Sequence, residues 1–219
     1  MCNICEGDYN RDIKELKIYN CNRIKELPSD LVKLEELTIY VKQNIRIPKE
    51  IVNLRYIDCS NTEIKELPSE LTQLTHLFCM GTKIKKIPKE LKSLTLIDCE
   101  DTEITELPKE LKNLTNLFCR DTKIKEVPKE LINLRYIDCE GTKIEEIPKT
   151  LINLRGLTNS KIKTEEIIKR QKQIKEGIKA YIREYKKYKK RRVLWEIAEY
   201  YTKRKYHPKN ILKYINLEE

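Results

Sequence analysis

Glycine is scarce, with five residues in a chain of 219. No phosphate-cradling glycine loop is present, so the common nucleotide-binding motifs are excluded. Histidine is scarcer still, with only His76 and His207, which leaves little for a histidine-centred acid–base or metal cluster. No stretch approaches the ~18 uninterrupted apolar residues that a membrane-spanning helix needs. The opening MCNICEGDYN lacks the apolar segment of a secretion signal, so the expected compartment is the cytoplasm, with the nucleus as the alternative. Eight cysteines in such a chain read as free thiols rather than a disulfide framework. Apolar residues, at 39%, are somewhat few for a globular chain, so a core requires that they be well ordered in sequence.

They are ordered by a period of twenty. Cys59, Cys79, Cys99, Cys119 and Cys139 keep that step, as do Thr62, Thr82, Thr102, Thr122 and Thr142. Prolines follow it from Pro28 through Pro48, Pro68, Pro88, Pro108 and Pro128 to Pro148. The shared unit is L-x-x-L-x-C-x-x-T-x-I-x-x-L-P-x-E-L-x-x. Its L-x-L-x-C alternation predicts a short strand, and the proline marks a return segment that cannot continue a ladder. One unit cannot bury its own apolar face, so stacked units must share a core. The expected product is a parallel sheet with strands ~4.8 Å apart.

Position by position this unit resembles the leucine-rich repeat, L-x-x-L-x-L-x-x-N-x-L, with cysteine in place of the third leucine and threonine in place of the asparagine. The resemblance covers residues 13–160 and seven near-copies. It implies an α/β leucine-rich repeat solenoid, a curved parallel β-sheet with irregular or short helical return arms. It also implies a binding scaffold that takes a protein partner on the concave sheet face. The lysine-, isoleucine-, asparagine- and tyrosine-rich composition is similar to that of leucine-rich repeat proteins encoded by large DNA viruses of protists, which implies expression in a host cytoplasm.

Within this scheme the cysteines point inward as small apolar residues. Parallel Cβ atoms at the strand spacing exceed the ~3.8 Å that a disulfide favours. The threonine hydroxyls are expected to satisfy buried backbone groups at the turn. The end units are less regular. Cys21 is expected to take the ladder position one residue early, the second unit lacks both cysteine and threonine, and Asn159 replaces the last cysteine. Residues 1–12 are expected to cap one end. Their Cys2-x-x-Cys5, with Cys21 as a third ligand, is a weak zinc pattern; the alternative is a reduced capping segment.

Residues before the ladder cysteines point to the opposite sheet face. They alternate as Asp58, Phe78, Asp98, Phe118 and Asp138, so the true repeat is forty residues. Flanking positions are Tyr56, His76, Leu96, Asn116 and Tyr136 on one side, and Ser60, Met80, Glu100, Arg120 and Glu140 on the other. A recent duplication would leave this alternation as ancestry only. The functional reading is an exposed apolar strip edged by acids, a contact site for a partner. The candidate contact residues are Tyr56, Asp58, His76, Phe78, Met80, Asp98, Glu100, Phe118, Arg120, Tyr136, Asp138 and Glu140. The lysine- and glutamate-interleaved return arms read as a solvated surface.

Composition changes near residue 160. Residues 161–219 hold 19 Lys and Arg against 8 Asp and Glu, whereas residues 1–160 hold 26 against 27. The later region is expected to be helical, starting near Thr164 with Glu165 and Glu166 at the positive end of the helix dipole. Ile174, Ile178, Tyr181, Tyr185 and Tyr188 form one apolar stripe, consistent with a C-terminal cap. Lys186, Lys187, Lys189, Lys190, Arg191 and Arg192 form a basic patch that can track phosphates, mark a nuclear signal, meet an anionic membrane, or dock on the acid-edged sheet of a second copy to give a homodimer. Nucleic acid is thus the alternative partner. No catalytic constellation and no cofactor site is recognised. The ladder cysteines are expected buried, and residues 161–219 lack the cysteine that the ubiquitin-ligase domains attached to some bacterial leucine-rich repeat proteins require.

Overall fold

The computed structural model describes residues 9–159, except 20, 22 and 152, together with Ile4 and Ile162. Two units divide the chain, Met1–Lys163 and Thr164–Glu219. The expected C-terminal helices lie outside the described residues.

Eight short strands follow one another: β1 (Glu15–Ile18), β2 (Glu36–Ile39), β3 (Tyr56–Asp58), β4 (His76–Phe78), β5 (Leu96–Asp98), β6 (Asn116–Phe118), β7 (Tyr136–Asp138) and β8 (Gly156–Thr158). They pair in parallel, in chain order, as one sheet. From β2 to β8 the register steps by twenty, as in Leu77↔Ile97 and Ile97↔Leu117. Each repeat is therefore one turn of a solenoid, and equivalent side chains stack in columns down its length.

The columns on the core side explain the stability. Leu54, Leu74, Leu94, Leu114 and Leu134 form one column, and Ile57, Leu77, Ile97, Leu117 and Ile137 another; all are buried. Each such side chain contributes roughly 1.5–3 kcal/mol by leaving water. The cysteines at 59, 79, 99, 119 and 139 form a third column, buried and free of disulfides. Ile18 and Ile39 continue it through the first two rows, because Ile18 pairs with Ile39 and the residue after Thr38 falls beside Cys59. Cys21 thus sits three residues past the cysteine column, in the segment after β1, and not in the ladder one residue early. The expectation failed because the thiol was matched by residue type rather than by strand register.

The threonines behave as expected. Thr62, Thr82, Thr102, Thr122 and Thr142 each donate from Oγ1 to the carbonyl of the cysteine three residues back, at 2.7 Å. These buried bonds close the turn after every strand. One residue before each threonine the backbone is left-handed, at Asn61 (φ 59°), Gly81 (65°), Asp101 (54°), Asp121 (53°) and Gly141 (74°). Asparagine, aspartate and glycine tolerate that region best. At Gly81 an added Cβ would also lie 2.9 Å from Asn61 Oδ1.

The return arms are irregular, and no helix occurs within the described residues of 9–159. The short helices allowed in the arms are not present. The reason lies in the L-P-x-E-L-x-x-L segment, which makes two successive turns. In one arm Leu91 N–H donates to Pro88 O at 3.2 Å and Leu94 N–H to Leu91 O at 3.1 Å. The chain then re-enters the sheet before a third turn can form. Both leucines are buried, so each turn anchors itself in the core. Asparagine side chains tie neighbouring arms by donating from Nδ2 to carbonyls in the preceding row: Asn113 to Lys92 at 3.0 Å, Asn133 to Lys112 at 2.8 Å and Asn153 to Ile132 at 2.9 Å.

The ends are closed by polar contacts. Tyr9 Oη donates to Asp30 Oδ1 at 2.8 Å, and Arg11 pairs with the same carboxylate at 2.8 Å. At the other end Asn159, in the cysteine column, donates from Nδ2 to Cys139 O at 3.0 Å and lies 3.3 Å from Cys139 Sγ.

Candidate functional site

Strand alternation sends three columns to the sheet face opposite the core. The middle column is Lys17, Thr38, Asp58, Phe78, Asp98, Phe118 and Asp138. The flanking column within the strands is Glu15, Glu36, Tyr56, His76, Leu96, Asn116 and Tyr136. The third follows each strand by one or two residues: Tyr19, Tyr40, Ser60, Met80, Glu100, Arg120 and Glu140. The twelve candidate contact residues are thus brought onto one face, over rows three to seven. The basic patch Lys186, Lys187, Lys189, Lys190, Arg191 and Arg192 lies outside the described residues, as do Cys2 and Cys5.

The face is less exposed than alternation alone suggests. Phe78 is 2% exposed, Asp98 2%, and Asp58, Met80, Glu100 and Asp138 are also buried. Tyr56, His76, Phe118, Arg120, Tyr136 and Glu140 are half-buried. The expected exposed strip is corrected to a packed one. Part of the cause is lateral: with rows ~4.8 Å apart, each side chain is flanked on both sides. The Phe78 ring packs against Tyr56 at 5.4 Å between centroids, tilted by 43°.

The acids in the middle column have a second cause. Asp58 Oδ1 accepts from the Ser60 backbone N–H at 3.0 Å, and Asp98 and Asp138 do the same for Glu100 and Glu140 at 3.3 Å each. These carboxylates bend back to hold their own strand ends. The acid half of the Asp/Phe alternation therefore carries a local structural role that sequence reading did not assign.

Electrostatics follow from this crowding. Burial, and then the charges of Asp98 and Asp138, push the Glu100 carboxyl up to about 8, while Arg120 opposes them. Burial lowers His76, so its ring is neutral near pH 7. Burial also raises the thiols of Cys79, Cys99 and Cys119 well above the ordinary value, and Cys139 to about 11. A thiol held protonated is a poor nucleophile and a poor metal ligand. Among the described residues no group of three or more His, Cys, Asp or Glu is placed to hold a metal ion.

Two residues of this face escaped the sequence reading. Tyr19 and Tyr40 continue the third column into the first two rows and are 55% and 58% exposed. Their rings stack at 4.7 Å with an interplanar angle of 9°. Tyr40 N–H donates to Ile18 O at 3.0 Å, which extends the β1–β2 ladder and sets the two rings one row apart. The signal was present in the sequence: each tyrosine directly follows the isoleucine that stands for the ladder cysteine.

No family model matches the chain, and neither does any curated protein. Solved structures do. The functional domain of InlJ from Listeria monocytogenes, which includes a cysteine ladder, is 28% identical with a TM-score of 0.58; the match covers 68% of this chain and 36% of that one. A leucine-rich repeat protein of Leptospira interrogans is 26% identical with a TM-score of 0.53, covering 62% of this chain and 40% of that one. A Shigella effector leucine-rich repeat domain is 20% identical with a TM-score of 0.53, covering 73% and 74%, a likeness of fold alone. The chain spans less than half the length of the first two. The fold is a parallel-strand solenoid whose solved neighbours are leucine-rich repeat proteins.

Proposed function

We propose that this chain is a protein-interaction scaffold whose working surface is the sheet face. The observation that carries the reading is the column geometry. Seven strands in one register present aromatic, acidic and basic side chains at fixed spacing on a rigid frame, with Tyr56, Phe118 and Tyr136 half-buried there. Rigid aromatic residues bordered by polar ones are the usual composition of binding hot spots. The leucine-rich repeat proteins that share the fold favour protein as the partner. The buried, free thiols of the described ladder suit a reducing compartment, in keeping with a cytoplasmic protein. The composition supports an origin in a large virus of a protist.

The test is capture of partners by the full chain, comparing wild type with Tyr56→Ala/Tyr136→Ala on the sheet face and Lys85→Glu/Lys123→Glu on the return arms. The face variant should lose capture and the return-arm variant keep it, with thermal melts showing both folded. Equal capture by all three would remove the sheet face as the working surface.

One observation favours a second reading. The excess positive charge is confined to residues 161–219, which suits a polyanion such as nucleic acid. Fluorescence anisotropy with labelled single- and double-stranded nucleic acids across a salt series would decide it. Binding that falls steeply with salt and vanishes when Lys186–Arg192 are neutralised would carry this reading, and no binding at physiological salt would end it.

A further inference from the structure

We propose that the stacked Tyr19–Tyr40 pair and the carboxylates beside it form the docking point for a lysine- or arginine-rich segment of a partner protein. The inference rests on the reading of the sheet face as a protein-binding surface and names the chemistry of what binds there.

Three observations carry it. First, among the described residues Tyr19 and Tyr40 are the large hydrophobic side chains of the sheet face that remain exposed, at 55% and 58%. The other exposed ones, Val32, Val52 and Ile132, belong to return arms. Parallel stacking at 4.7 Å joins the two rings into one exposed aromatic block, in which each ring keeps one negative π face turned away from its neighbour. Second, the nearby charges are mostly negative. Glu15 and Glu36 are exposed and pair across β1 and β2. Asp58 in the next row lies close enough to Tyr40 to help raise its phenol, after the larger effect of burial. Lys17 is the nearby cation, and its ammonium is held by Glu15 at 2.6 Å. Third, the whole face is acidic. Over rows one to seven its columns hold six carboxylates, with Glu100 as a seventh carboxyl that keeps its proton up to about 8, against Lys17 and Arg120.

An aromatic face with carboxylates around it is selective for cations. The ring quadrupole attracts an ammonium or guanidinium, and guanidinium also stacks flat on the ring. Carboxylates at the rim add bidentate acceptors for arginine. An acidic partner segment would meet like charge in every column. A purely apolar one would desolvate the rim carboxylates with Lys17 as the nearby counter-charge. A basic segment satisfies rings and rim together.

The experiment uses the full chain and a fluorescein-labelled nona-arginine peptide, with nona-glutamate and a glycine–serine peptide of equal length as controls, at physiological ionic strength. Nona-arginine should bind although the whole chain is itself net positive, and the controls should not. Tyr19→Leu/Tyr40→Leu should weaken binding by about tenfold, the scale expected for losing a partly desolvated cation–π contact. Tyr19→Phe/Tyr40→Phe should keep most of it, and Glu15→Gln/Glu36→Gln should weaken it with a shallower salt dependence. Equal affinity in the leucine variant and wild type would overturn the assignment, even if nona-arginine binds elsewhere. Self-association in sedimentation velocity that disappears in the leucine variant would assign the pair to a second copy of the chain and overturn it as well. If nona-arginine fails while the Tyr56/Tyr136 capture contrast holds, the face binds protein of other chemistry and this inference falls alone. If both fail, the scaffold reading falls with it.

Discussion

The first two rows and the five that follow are built on one frame with different contents. Rows three to seven repeat cysteine and threonine at fixed positions, bury both completely, and pack even their sheet-face residues. Rows one and two carry isoleucine in the cysteine column and lack the threonine bond. Their face residues Glu15, Lys17, Tyr19, Glu36 and Tyr40 stay exposed. Row one has a neighbour on one side, but row two is flanked by β1 and β3, so a missing row does not account for the exposure of Glu36 and Tyr40. The difference teaches that the repeated cysteine and threonine positions serve the stack, and that rows without them carry side chains free for another use.

The largest effect should come from the same substitution in one core column at two rows. Leu16 and Ile97 both belong to the column running Leu16, Leu37, Ile57, Leu77, Ile97. Ile97 is fully buried whereas Leu16 is half-buried. Ile97→Ala should cost about 2–5 kcal/mol through lost transfer energy and a cavity. Leu16→Ala should cost roughly 1–2 kcal/mol, in proportion to its smaller burial. Urea denaturation followed by circular dichroism measures both. Equal costs would mean that the end rows are as integral to the stack as the centre.

A smaller effect tests the sheet face within a single column. Tyr19, Tyr40 and Glu100 occupy equivalent positions, the first two exposed and the third buried. Burial and the charges of Asp98 and Asp138 raise Glu100 to about 8, and Asp101 adds to this against Arg120. In the folded chain the carboxyl keeps its proton while the unfolded chain has lost it. Between its ordinary value near 4.5 and about 8 the folded state therefore binds more protons, and stability falls as pH rises. Glu100→Gln removes that slope. The variant should match wild type near the lower pH and gain on it through neutrality, by on the order of 3 kcal/mol at most at pH 7. Melting curves across that pH range should diverge; parallel curves would place the carboxyl in water.

Much of this was legible in advance, because a stack punishes variation at inward positions. The period, the strand positions, the inward cysteines and the hydroxyl bonds all follow from residues that recur every twenty. What was missed depends on register and on neighbours rather than residue type. Cys21 drew attention as a thiol, although the pairing of Ile18 with Ile39 places it beyond the ladder. The left-handed residue at Asn61, Gly81, Asp101, Asp121 and Gly141 changes identity from row to row, so it leaves no single-letter period. Alternation correctly put Phe78 on the sheet face, but a period of two cannot report how closely its flanks are filled. Tyr19 and Tyr40 lie outside the cysteine-bearing rows, and the search for a face was confined to those rows.

The smallest effect separates shape from hydrogen bonding at the threonine position, and compares it with Cys21, the buried thiol that follows β1 in the first row. Thr102 Oγ1 donates to Cys99 O at 2.7 Å in a buried turn. Thr102→Val keeps the shape and removes the donor, leaving a buried carbonyl short of its partner at a cost of about 1–2 kcal/mol. Thr102→Ser keeps the donor and trims one methyl, so it should cost less, about 1 kcal/mol or below. Thr102→Cys sets such a thiol there, a weak donor, and should fall between the two. If urea midpoints rank serine above cysteine above valine, the hydroxyl selects threonine in the inner rows. If valine matches wild type, packing alone selects the residue, and the contrast between Cys21 and the threonine column records descent rather than physics.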